Sequence, residues 1–172
     1  MFKPLHSFAE KVAKVKQQLQ NGADPKDVFD WVSDFYGGFA MVELGDKCNF
    51  INTDGNILRD DLWFDDVSKF SEGFARVKLN GKYNFINTDG NILSDDLWFD
   101  EVSDFSEGFA RVELNGKWYY IDTKGNLYDK NKNPINNVAE NRCRVVHLTE
   151  SKLRNTIKSV ITQYLNESRN YK

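Results

Sequence analysis

Two clusters of carboxylates, each wrapped around a tryptophan, are the residues here whose spacing suggests chemistry. Asp60, Asp61, Asp65 and Asp66 flank Trp63, and Asp95, Asp96, Asp100 and Glu101 flank Trp98. Paired carboxylates bind hard cations such as calcium or serve as acid and base. Each cluster also straddles a Leu-Trp-Phe run, and aspartates beside a turn satisfy its amides or cap a helical turn. We rank the turn reading first, metal second and catalysis last. These ten residues form the candidate interaction surface. Trp63 and Trp98 are either core residues or the lining of a groove that stacks on a sugar or a partner peptide. Asn52-Thr-Asp-Gly-Asn56 and Asn87-Thr-Asp-Gly-Asn91 resemble part of a calcium loop, but Phe50 and Phe85 stand where its acidic first ligand belongs, so structural turns are expected.

The remaining reactive side chains are isolated. His6 and His147 lie near the chain ends with no motif around them, and Cys48 and Cys143 show no CxxC spacing. Two free thiols in a reducing compartment are expected, with a single disulfide between them as the alternative. No GxSxG, P-loop, HExxH or paired CxxC pattern occurs. The expectation is a protein with no catalytic residue, cofactor or metal.

What must position these residues is a tandem repeat. Residues 49–83 and 84–118 are identical at 30 of 35 positions. The differences are Arg59/Ser94, Asp66/Glu101, Lys69/Asp104, Lys78/Glu113 and Tyr83/Trp118. Two reverse sign, so these positions are expected to be solvated, because a buried charge is not reversed cheaply. A diverged copy precedes the pair, with Phe35, Gly38, Phe39, Ala40 and Val42 aligned to Phe70, Gly73, Phe74, Ala75 and Val77. The pattern decays after Gly125.

Within a unit, Phe74-Ala-Arg-Val-Lys-Leu79 and Lys82-Tyr-Asn-Phe-Ile-Asn87 read as strands joined by Asn80-Gly81, a type I′ hairpin signal. A two-residue turn sets Leu79 opposite Lys82, Val77 opposite Asn84 and Ala75 opposite Ile86. The other face places Arg76 beside Phe85, and in the next copy Arg111 beside Tyr120, as packed cation–π pairs. Ile92-Leu93 reads as a short third strand. Both hairpin faces are partly apolar, so each unit needs neighbours. A closed propeller normally takes four or more blades, so three units favour an open solenoid-like stack. Helices are expected at both ends: Leu5, Phe8, Val12, Val15 and Leu19 follow helical spacing, as do Leu153, Ile157, Val160, Ile161, Tyr164 and Leu165 over 150–167.

The motif carried by Phe64-Asp-Asp-Val-Ser-Lys-Phe-Ser-Glu-Gly-Phe-Ala-Arg-Val77 and Asn80-Gly-Lys82 resembles the WG repeat, also called the KWG repeat. It recurs at Phe99–Val112 and runs on through Asn115-Gly-Lys-Trp118 and Ile121-Asp-Thr-Lys-Gly125, so the likeness covers about 29–127. The family's Trp-Gly pair stands here as Trp118-Tyr119, Tyr83-Asn84 and Cys48-Asn49, without the glycine. The resemblance implies a bacterial interaction module with no general chemistry and no catalytic residue to carry over.

Composition agrees with a folded, non-membrane chain. Of 172 residues, 40% are hydrophobic and 28% charged, an ordinary folded mixture, and no apolar run approaches a bilayer span. Residues 29–133 carry eleven Lys/Arg against twenty Asp/Glu, which disfavours a nucleic-acid partner; residues 134–172 carry seven against three. The start lacks the apolar core of a secretory signal, so a cytoplasmic location is expected. The reading is therefore mainly β, one folded domain: a helical cap over 1–28, repeats at 29–63, 64–98 and 99–133, a degenerate partial repeat at 134–148 and an amphipathic helix in 149–172. The expected function is non-catalytic protein interaction or scaffolding. A carbohydrate or small-ligand module using the aromatics is the alternative, and an enzyme or metal binder using the aspartates stands third.

Overall fold

The computed structural model describes residues 7–135. His6, Cys143, His147, the partial repeat beyond Ile135 and the predicted helix over 150–167 lie outside the described residues. The chain divides into two compact units, Met1–Asn133 and Pro134–Lys172. All the described helices and strands belong to the first.

Helix α1, Phe8–Gln20, opens with a capping box: the Glu10 amide donates to Ser7 Oγ, and the Ser7 amide donates to Glu10 Oε2 at 2.7 Å. Gly22, at φ +83°, follows the Asn21 cap. Asp24 then accepts the Lys26 amide at 2.9 Å and Pro25 takes the first turn of the short α2, Pro25–Val28.

Ten strands come after the helices, in three antiparallel sheets. Sheet 1 holds β1 (Trp31–Val32), β2 (Phe39–Leu44) and β3 (Lys47–Asn52) in that order. Sheet 2 repeats it with β4 (Asp66–Val67), β5 (Phe74–Leu79) and β6 (Lys82–Asn87). Sheet 3 has β7 (Glu101–Val102), β8 (Phe109–Leu114), β9 (Lys117–Asp122) and β10 (Leu127–Tyr128), ordered β10-β9-β8-β7. The described residues are thus mainly β, with few helices and no closed barrel. None of their helices is long and apolar enough to cross a membrane.

The hairpin register is the expected one, with Leu79 opposite Lys82, Val77 opposite Asn84 and Ala75 opposite Ile86. Asn80 and Gly81 sit at φ 52° and 79°, both left-handed as a type I′ turn requires. Ile92 makes a single bridge to Ile86 rather than a strand. The segment between sheets is itself paired. Phe64 bridges Cys48 on β3, and two residues later β4 pairs with β5; Phe99 and β7 repeat the crossing between sheets 2 and 3.

Alternation along each strand sends two apolar faces outward from every sheet. Phe50, Phe39 and Met41 of sheet 1 pack with Ala75, Val77 and Ile86 of sheet 2. The opposite face of sheet 1, with Ala40, Val42 and Ile51, packs with Val12 and Val15 of α1.

Candidate functional site

The aspartates separate by role. Asp65 Oδ2 accepts the Asn80 amide at 2.6 Å in its own hairpin turn, and Oδ1 accepts Lys47 Nζ at 2.5 Å from the preceding repeat. Asp100 repeats the clamp with the Asn115 amide at 2.7 Å and with Lys82 Nζ. The lysines hold both carboxyls below the usual value, and Asp65 in turn raises Lys47. Asp60 pairs with Lys16 of α1, which likewise lowers its carboxyl. Asp61 meets Arg59 at 3.1 Å, and Asp66 accepts the Val67 amide at 2.9 Å. Asp95, Asp96 and Glu101 are exposed. Among the described residues no group of three His, Cys, Asp or Glu side chains could hold a metal. In the glycine turns the Asn52 and Asn87 side chains accept two turn amides each, such as Asn91 at 2.8 Å, as Asx turns do.

The two tryptophans differ. Trp63 is 7% exposed, with Phe8 edge-on to its ring at 5.4 Å, and its Nε1 has no hydrogen-bond partner. Trp98 is half-buried against the core of sheet 2. Trp63, Asp60 and Asp61 are among the residues lining a cleft of about 640 Å³ beside α1. Phe8, Ala9, Val12, Ala13 and Leu79 make it predominantly apolar, and Lys16 and Lys47 stand among its lining. The sequence brings these groups together only through the fold, since α1 and Leu79 come from opposite sides of the first repeat.

Three structural roles were not readable as such. Asn49 and Asn84 are fully buried. Asn84 Nδ2 donates to the Ser94 and Leu97 carbonyls at 2.7 and 2.9 Å, and its Oδ1 accepts the Phe85 amide at 2.8 Å. Asn49 does the same with Arg59, Leu62 and Phe50. The residue in the place of the family's glycine thus ties the junction loop to its hairpin. Ser94 is buried at 5% exposure, against the expectation that the differing positions involving charged residues are solvated. The reason is length: its counterpart Arg59 extends its guanidinium to Asp61 and the Gly90 carbonyl, whereas serine stops beneath the surface. Cys48 is half-buried, and burial, aided by Glu43, Asp66 and Asp65, pushes its thiol up to about 11, which keeps it protonated and unreactive near neutrality.

Repeats engage one another through a recurring set. Phe70 sits 4.9 and 4.8 Å from the rings of Phe39 and Phe50 in the preceding unit; Phe105 sits 4.7 and 4.8 Å from Phe74 and Phe85. Glu72 accepts the Glu107 and Gly108 amides at 2.7 and 2.8 Å. Arg76 Nε meets Asp104 at 2.7 Å. Arg76 thereby pairs with the next unit rather than stacking on Phe85, which Phe105 covers. Arg111 lies opposite Tyr120 in register, but its guanidinium is over Trp118 at 4.7 Å.

The family model described as WG containing repeat matches residues 28–48, 64–83 and 85–118. No curated protein matches the chain. Among solved structures the chain is similar to "KlHsv2 with loop 6CD replaced by a Gly-Ser linker", at 16% identity and a TM-score of 0.37. That likeness covers 56% of this chain and 37% of the other. With three matched repeats spanning residues 28–118 and three like-built sheets beneath them, the chain belongs to the WG-repeat family.

Proposed function

We propose that this protein is a non-catalytic interaction module, an open solenoid-like stack of WG repeats capped by α1, whose cleft takes an apolar segment of a partner protein. The cleft beside α1 is the observation that carries it. Its walls are apolar, so an apolar side chain seated there would be removed from water. The repeated aspartates support the same reading, because Asp60, Asp65 and Asp100 are engaged by lysines and turn amides within the fold. Trp63 does not favour sugar stacking, since its ring lies against Phe8 and Phe29.

Peptides selected by display against the full chain test this. Binding should change the tryptophan fluorescence and weaken roughly tenfold or more in Ala13→Arg, which fills the cleft from an exposed position, but not in Thr53→Arg. Equal binding by both variants, or a fluorescence response to glycans instead, overturns the proposal.

A further inference from the structure

Among the described residues, the set of contacts that joins one repeat to the next has no repeat to receive it at either edge of the three-repeat run. On the leading edge, Phe35 occupies the position of Phe70 and Phe105, yet among the described residues no pair of rings receives it and it is 47% exposed. Asp34 matches Asp104 without an arginine, and Gly37 and Gly38 match the amides that Glu72 accepts. Asp30 already accepts the Gly45 amide, as Asp65 accepts that of Asn80, and among the described residues lacks only the lysine. Helix α1 covers the apolar face of sheet 1, as a preceding repeat covers sheets 2 and 3, but supplies no aromatic socket for this loop.

The trailing edge of sheet 3 offers the complement. Phe109 and Tyr120 match the socket residues Phe74 and Phe85. The exposed Lys132 overlies the ring pair, its Nζ 4.5 and 5.7 Å from the ring centroids, and Tyr128 packs edge-on to Phe109 at 5.4 Å. A flexible lysine in that place is readily displaced by an incoming ring. Glu107 stands where Glu72 does, Arg111 where Arg76 does, and Lys117 where Lys47 and Lys82 do, all three exposed.

We infer that the protein self-associates head to tail, the Phe35 loop of one copy docking on the Phe109–Tyr120 edge of a second copy. Each contact it would form already exists within the chain, between one repeat and the next. Asp34 would meet Arg111, Glu107 would accept the Gly37 and Gly38 amides, and Lys117 would meet Asp30. Such a contact is heterologous, so it continues past the dimer unless the ring closes. It uses none of the residues that line the cleft beside α1.

Sedimentation equilibrium on the full chain tests it. The wild-type mass should rise with concentration, and Phe35→Ala, an exposed position, should weaken association roughly tenfold or more. Asp34→Arg and Arg111→Asp should each weaken it, and an equimolar mixture of the two should recover it, with the two variants alternating. Ala13→Arg should leave it unchanged, which separates this surface from the cleft. A monomer at every concentration, variants that associate like wild type, or loss in Ala13→Arg overturns the inference. Loss in both charge variants without recovery in their mixture overturns the pairing of Asp34 with Arg111 and with it the head-to-tail register.

Discussion

A buried asparagine holds each junction loop, and its removal exposes how much rests on one side chain. Asn84→Ala leaves the Ser94 and Leu97 carbonyls and the Phe85 amide without their partner inside the protein. Unmade buried hydrogen bonds of this kind should lower stability by about 2–4 kcal/mol, read by urea unfolding. Asparagine reads as a turn residue in a sequence, so nothing marked it as buried; only its recurrence at 49 and 84 was visible. The clamped aspartates make a second prediction. Asp60, Asp65 and Asp100 have carboxyls depressed below the usual 3.8. A depressed folded value gives stability that is present above pH 3.8 and lost as pH falls below it. Lys47, raised above 10.5, gives stability present below that pH and lost above it. The melting temperature should therefore fall on acidification below about pH 3.8. That acid dependence should be shallower in the Lys47→Met/Lys82→Met double variant, and an unchanged profile would remove the clamp as its cause.

At the scale of elements the hairpins were the legible part. Alternating apolar residues around Asn80-Gly81 specify strands, turn type and register together, and all three are as the sequence implies. The side-chain partners across units were not legible, because neighbours about one repeat away compete with those directly opposite: Arg76 faces Phe85 in register but reaches Asp104. The second turn of each repeat gives a further test. Gly55 and Gly90 both lie at positive φ, but a Cβ on Gly55 meets open space, whereas one on Gly90 falls 2.8 Å from the Leu58 carbonyl oxygen of the preceding repeat. Gly55→Ala should destabilise by about 1–2 kcal/mol, the strain of a left-handed alanine. Gly90→Ala should exceed it by about 1 kcal/mol or more, because backbone must also move. Equal losses in thermal melts would show that the close approach is not felt.

For the molecule as a whole, the repeat made the number and spacing of the sheets readable, while the order of the units lies in their differences. The lysines and ring pairs that the first and second units offer are matched by the unit that follows each. Deleting 64–98 joins Trp63 directly to Phe99 and sets Lys47 against Asp100 and Phe39 against Phe105. The shortened chain should still unfold in one cooperative transition, at a lower melting temperature, while loss of cooperativity in calorimetry would mean that the central unit is irreplaceable. The crossing strands bear on something different, the chain's exposure to proteases. Between most modules runs a loose linker, and enzymes cut there first. Here the connecting backbone is hydrogen-bonded to one sheet at Phe64 and to the next at Asp66–Val67. Limited digestion of the folded protein should therefore yield no ladder of repeat-sized fragments, because the seams are as well protected as the units they join.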